Sequence, residues 1–118
     1  DMVSLINTMP GMAIDLESRR PLLANVSGGY SGPGIKPIAL RMVHEARKAI
    51  KAPIIGMGGI SNGRDALEFM VAGADAVAVG TAIFANPQCL LQIPQEMEQW
   101  LDRQGIKKVS EISNSLKI

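Results

Sequence analysis

The sequence predicts an α/β fold built on a parallel sheet. Short runs that are apolar throughout alternate with longer stretches of helical period. Uniformly apolar runs are those expected of strands covered on both faces. Glycines also recur where two successive runs stop, at Gly58-Gly59 and at Gly80, as if both strands end at one rim. An order of strand, helix, strand, helix, strand, helix implies right-handed crossovers between parallel strands.

The elements follow in chain order. Met2 to Ile6 reads as a buried strand ending in Asn7-Thr8. Over 12–25, Met12-Ala13-Ile14 and Leu22-Leu23-Ala24 flank the polar turn Asp15 to Arg20, which suggests a small hairpin excursion. Ser27 to Gly34, "SGGYSGPG", reads as a loop. A helix is expected from about Lys36 to Lys51, with Pro37 in its first turn, where a missing N–H costs little. Ile38, Met42, Ala46, Ala49 and Ile50 share one face of it, and Arg41, Glu45 and Lys48 another. After Pro53, Ile54 to Met57 forms the second strand. Ser61 or Asn62 can cap the next helix, with Asp65 in its first turn near the positive dipole end. Ala66, Phe69 and Met70 give that helix its inner stripe, and Gly73 stops it. Ala76 to Val79 is the third strand. Asn86-Pro87 opens a helix to about Gln104, stopped by Gly105 and interrupted by Pro94, which should kink it or remove one hydrogen bond. Its apolar stripe is Leu90, Ile93, Met97, Trp100 and Leu101, and Ser110 is placed to cap a last short turn.

Composition narrows the function classes. The chain has 118 residues, 47% hydrophobic and 19% charged, which suits one globular domain with a modest core. A net charge of +1 and 3% aromatics give no electrostatic or stacking case for nucleic acid. No apolar run approaches the roughly 18–20 residues of a membrane span, so no membrane partner is expected. Cys89 is the only cysteine; it permits no internal disulfide or cysteine metal cage, and it suits a reducing cytoplasm. No basic region precedes an apolar one at the N-terminus, so no signal peptide is expected. The chain begins with Asp1 in place of an initiator methionine and opens almost directly on a strand, as if something precedes it. His44 is expected to face solvent, no metal is expected, and the Asn25-Val26-Ser27 sequon reads as chance.

The glycines point to an anion. At the carboxyl end of a parallel strand, the following helix presents unpaired N–H groups and a positive dipole end. Glycine lets a ligand approach that backbone closely. One such loop is as well explained by a tight turn. Two on adjacent strands match the joint phosphate site after the seventh and eighth strands of a (β/α)8 barrel. Three strands cannot close a barrel, so the chain reads either as a small open α/β sheet or as the last three β/α units of a barrel. The dinucleotide fingerprint fails: Gly56-Met57-Gly58 begins it, but Ser61 stands where the third glycine belongs.

Several segments resemble one family. "INT" at 6–8, "SGGYSGPGIKPIALRMV" at 27–43, "PIIGMGGI" at 53–60, "GRDALEFMVAGADAVAVGTA" at 63–82 and "NP" at 86–87 resemble the C-terminal part of dihydroorotate dehydrogenases. The likeness runs over nearly the whole chain, with the motifs in the family's order. It is best to the class I B-type catalytic subunit. "IKPIAL" and the short excursion at 12–25 favour that type over the fumarate-using A-type and the pyrimidine-reducing domain of dihydropyrimidine dehydrogenase.

The resemblance implies a single partial domain, 1–118: the C-terminal portion of an FMN-dependent TIM barrel oxidising dihydroorotate to orotate in pyrimidine biosynthesis. It implies that Gly58, Gly59, Gly80 and Thr81 hold the FMN phosphate, that Ile6 and Gly32 line the cofactor, and that Asn7 and Thr8 bind the substrate. It further implies a homo-oligomer and an electron-transfer partner subunit carrying FAD and an iron–sulfur cluster and passing electrons to NAD. The family's proton-abstracting cysteine, its flavin-contacting lysine and further substrate asparagines lie earlier in the barrel, at positions this chain does not contain. Cys89 does not replace the cysteine, because it is expected in the last helix as a structural thiol away from the strand ends. No catalytic residue is therefore expected in 1–118, and the segment alone is expected to be inert. The competing readings are a piece of another FMN- or sugar-phosphate-binding barrel, and a non-catalytic α/β module.

Overall fold

A computed structural model describes all 118 residues. Strands β1 (Val3–Leu5), β6 (Ile54–Met57) and β7 (Ala76–Ala78) form one sheet in the order β1-β6-β7. Both pairings are parallel, with Val3 opposite Ile54 and Ile55 opposite Ala76. The expected parallel sheet is therefore present, with the smaller residues of the third run, Ala76 to Ala78, as its last strand.

Between β1 and helix α1 (Lys36–Ala49) the chain makes two nested antiparallel ladders. β2 (Met9–Gly11) pairs with β5 (Gly28–Tyr30), and inside them β3 (Ile14–Asp15) pairs with β4 (Arg20–Pro21). The hairpin expected over 12–25 is the inner ladder. The loop expected from 27 to 34 is corrected: Gly28–Tyr30 is extended because Met9–Gly11 supplies a partner, and a single 3₁₀ turn, Pro33–Ile35, leads into α1.

The helices stack side by side. α2 (Gly63–Ala72) lies between α1 and α4 (Cys89–Arg103), so its buried residues include Leu67 and Ala72 besides the expected Ala66, Phe69 and Met70. A four-residue helix, α3 (Ala82–Ala85), precedes α4, which starts at Cys89 and not at Asn86. α4 runs through Pro94 as one helix. Lys108, not Ser110, opens the last 3₁₀ turn: its N–H donates to Glu111 Oε1 at 2.9 Å.

The inner face of α1 also differs from expectation. Ala39 and Val43 are fully buried, whereas Ile38 and Met42 are 40% and 38% exposed. The reason is close approach: a Cβ built on Gly58 would stand 2.9 Å from the Ala39 Cβ, so the nearest position on α1 takes a small residue. The amino ends of the strands are closed by side chains. Asp75 accepts the Ile54 N–H at 2.8 Å and pairs with Arg47, whose Nε donates to the Gly73 carbonyl at 2.8 Å.

Candidate functional site

Because the three strands are parallel neighbours, their carboxyl ends face the same way. The segments after them, Ile6-Asn7-Thr8, Gly58-Gly59 and Gly80-Thr81, consequently line one cavity of about 720 Å³. Gly32, from the segment before α1, lines it too. All eight residues singled out from the sequence as cofactor- or substrate-binding are thus brought together.

The cavity wall carries no Lys, Arg, His, Asp or Glu. An anion entering it must be met by hydrogen-bond donors. The main chain provides them: the amides of Gly58, Gly59, Gly80 and Thr81 donate to no group of the protein. Gly58 and Gly59 have φ of 126° and 76°, the left-handed half of the map that side chains avoid. Gly59 is doubly constrained, since a Cβ there would lie 2.8 Å from the Gly32 carbonyl oxygen and 2.9 Å from the Lys36 nitrogen. A Cβ on Gly80 would meet nothing within 4 Å, so the glycine there keeps open space beside the backbone.

At the start of α2 the N–H groups of Ser61, Gly63 and Asp65 are taken by side chains, contrary to the sequence-based expectation that the helix end presents them open. Asp65 N–H donates to Asn62 Oδ1 at 2.9 Å, the cap bond that selects Asn62 over Ser61. Gly63 N–H donates to Glu96 Oε2 at 2.6 Å, and Ser61 N–H to Asp65 Oδ2 at 2.9 Å. The open amides lie one turn earlier, in the loop itself. Thr81 Oγ1 donates to Ser31 Oγ at 2.7 Å, which ties the loop after β7 to the segment that carries Gly32.

Asn7 and Thr8 close on one another. Asn7 Oδ1 accepts the Thr8 N–H at 2.7 Å, and the Thr8 hydroxyl lies 3.4 Å from the same oxygen. With its oxygen engaged, Asn7 presents its NH₂ as the free end.

Two residues stand differently from their expected places. Cys89 is buried, at 1% exposure, but it lines the cavity instead of lying away from the strand ends, because α4 begins beside the loop after β7. His44 is half-buried in a groove with Trp100, between α1, α2 and α4.

The sequence reading missed a charged cluster beneath the glycine loop. Lys36 Nζ donates to Asp65 Oδ1 at 2.6 Å and lies 2.8 Å from Glu68 Oε2. These hydrogen bonds, first that from Asp65, hold the lysine above its ordinary pKa of 10.5. Asn62 and Asp65 three apart signal a cap, but nothing in the sequence pairs Lys36 with a residue 29 positions on.

Sheet, helices and cavity together define a parallel α/β unit with a ligand-sized chamber at the carboxyl rim of its strands. The family model described as Dihydroorotate dehydrogenase matches residues 1–101, and the chain belongs to that family. Among curated relatives, it is 61% identical over its whole length to the protein named "Dihydroorotate dehydrogenase B (NAD(+)), catalytic subunit" of Geobacter sp. (strain M21). It is 59% identical to the protein of that name from Geobacter metallireducens, and 55% to that from Thermoanaerobacter sp. (strain X514), again over all 118 residues. The chain spans 39% of the length of each of these three relatives.

Proposed function

We propose that this chain supplies the FMN phosphate site and part of the substrate site of a B-type dihydroorotate dehydrogenase catalytic subunit, an NAD-linked oxidoreductase converting dihydroorotate to orotate in pyrimidine biosynthesis. In this reading residues 1–118 are the last three β/α units of a TIM barrel. One observation carries it: four unpaired main-chain amides, on two glycine loops of adjacent parallel strands, border one uncharged cavity.

The residues present fit the cofactor. A cavity of about 720 Å³ is within the usual range for cofactor sites. A dianionic phosphate needs several convergent donors, and backbone amides hold it without the rotamer entropy of long cationic side chains. Gly58, Gly59, Gly80 and Thr81 hold the phosphate, while Ile6 and Gly32 line the cofactor. The free NH₂ of Asn7 and the hydroxyl of Thr8 meet the carboxylated pyrimidine. When bound, FMN supplies a hydride acceptor. Proton removal falls to a residue outside 1–118, because the cavity wall here offers no titratable side chain except the buried Cys89 thiol.

The relatives' name, "catalytic subunit", supports a second subunit, for which FAD and an iron–sulfur cluster are the proposed cofactors. A homo-oligomer and a cytoplasmic location complete the reading. No helix is long and apolar enough to cross a membrane.

Changing Asn7 and Thr8 together to alanine in the intact subunit tests the substrate assignment. Flavin content is expected to stay at the wild-type level while the orotate dissociation constant rises about 10- to 100-fold, the worth of two hydrogen bonds to a charged ligand. Unchanged orotate affinity would remove both residues from the substrate site.

A further inference from the structure

We propose that Asp65, acting with Lys36, is a positioning residue for the Gly58–Ser61 loop, fixing the direction of its open amides without touching the ligand. The inference rests on the phosphate-cradle reading above and names the device that keeps the cradle in shape.

Asp65 is only 8% exposed, yet it is charged, and both carboxylate oxygens are engaged on the loop side of α2. Oδ2 reaches back to the Ser61 N–H, and Oδ1 takes the Lys36 ammonium. The helix does not need this carboxylate as its cap, since Asn62 already satisfies the Asp65 N–H. Lys36 closes the arrangement from the other side. Its backbone nitrogen and Cβ would each lie 2.9 Å from a Cβ on Gly59. The main chain of Lys36 therefore backs Gly59, while its side chain holds the acid that holds Ser61. Residues 59–61 are enclosed in a ring whose other members are Lys36 and Asp65.

Neither charged residue lines the cavity. With Asp65 and Glu68 both on its ammonium, Lys36 is committed away from an incoming anion. A buried acid with two such bonds is costly to leave half-paired, so its replacement is felt by the loop before it is felt by the helix.

The experiment compares FMN with riboflavin, which lacks the phosphate, by fluorescence titration of the apo form of the intact subunit. Wild type is expected to prefer FMN. In D65N that preference is expected to fall about tenfold, with riboflavin affinity unchanged, as for loss of one charge-assisted bond that orients the phosphate donors. E68Q, which alters the lysine's second partner but not the contact to Ser61, is expected to keep the wild-type preference. A preference in D65N equal to that of wild type would overturn the positioning role and leave the cradle intact. An equal fall in E68Q would overturn it too, since Glu68 makes no bond to the loop. A wild type with no preference for FMN would overturn the cradle itself. Should D65N fail to fold by circular dichroism, the same ratio in K36Q decides: a fall supports the pair, and no change refutes it.

Discussion

At Gly59 a single hydrogen atom in place of a side chain allows a positive φ, a carbonyl oxygen in front and the Lys36 main chain behind. Gly59→Ala should therefore cost the intact subunit about 1–3 kcal/mol, because strained backbone and a displaced carbonyl add. A lowered urea midpoint at unchanged slope measures it. Lys36 gives a pH prediction. Its folded pKa lies above the ordinary 10.5, so its contribution is complete below 10.5 and disappears as pH rises through the higher folded value. The stability gap between wild type and K36Q should be flat from neutrality to about pH 10 and shrink only in stronger base, as followed by denaturant titration at several pH values. Asp15 works in the opposite sense. The Ser18 hydroxyl lowers its pKa below 3.8, so the bond stabilises the hairpin above that pH and fades as acid titrates the folded form. The glycine loops were legible because glycine is a local signal. Asp65 was legible only as a dipole partner, since its connection to Lys36 exists in space and leaves no mark in spacing.

At the scale of elements, α2 is set by its first turn. Asn62→Ala removes the side chain that accepts the Asp65 N–H and should destabilise by about 1 kcal/mol, read from thermal unfolding. At Gly63, α2 lies tight against α4: a Cβ there would stand 2.5 Å from the Glu96 Cβ and 2.9 Å from the Ile93 carbonyl oxygen. Gly63→Ala should force the helices apart and cost about 1–3 kcal/mol by the same measurement. The expected strands and helices were found where periodicity and stop signals agreed, as for Ile54–Met57 and Gly63–Ala72. They were missed where pairing decided the outcome. Gly28–Tyr30 looks like a loop in isolation, and only Met9–Gly11 makes it a strand. The phase of α1 was misread because hydrophobic size suggests Ile38 and Met42, whereas the spacing between α1 and the glycine loop selects Ala39.

At the scale of the whole molecule the chain is extended. Its radius of gyration is 16.5 Å, against about 13.5 Å for a compact domain of this length. Its accessible surface is 8054 Å², against roughly 6,200 Å² for a compact protein of this mass. Large apolar side chains stand in the open, Phe84 at 92% exposure among them. Residues 1–118 expressed alone should self-associate or bind a hydrophobic dye; a monomer with a compact scattering radius and a cooperative melt would contradict this. The sequence suggested such an outcome by supplying three parallel strands, too few for a barrel. It could not show which apolar side chains are left uncovered. The pairing of Val3 with Ile54 has a further consequence for biosynthesis. On a ribosome adding about 5–20 residues per second, β1 emerges several seconds before the strand it needs, so its backbone must wait, exposed to the cell's chaperones, until Ile54–Met57 has been translated.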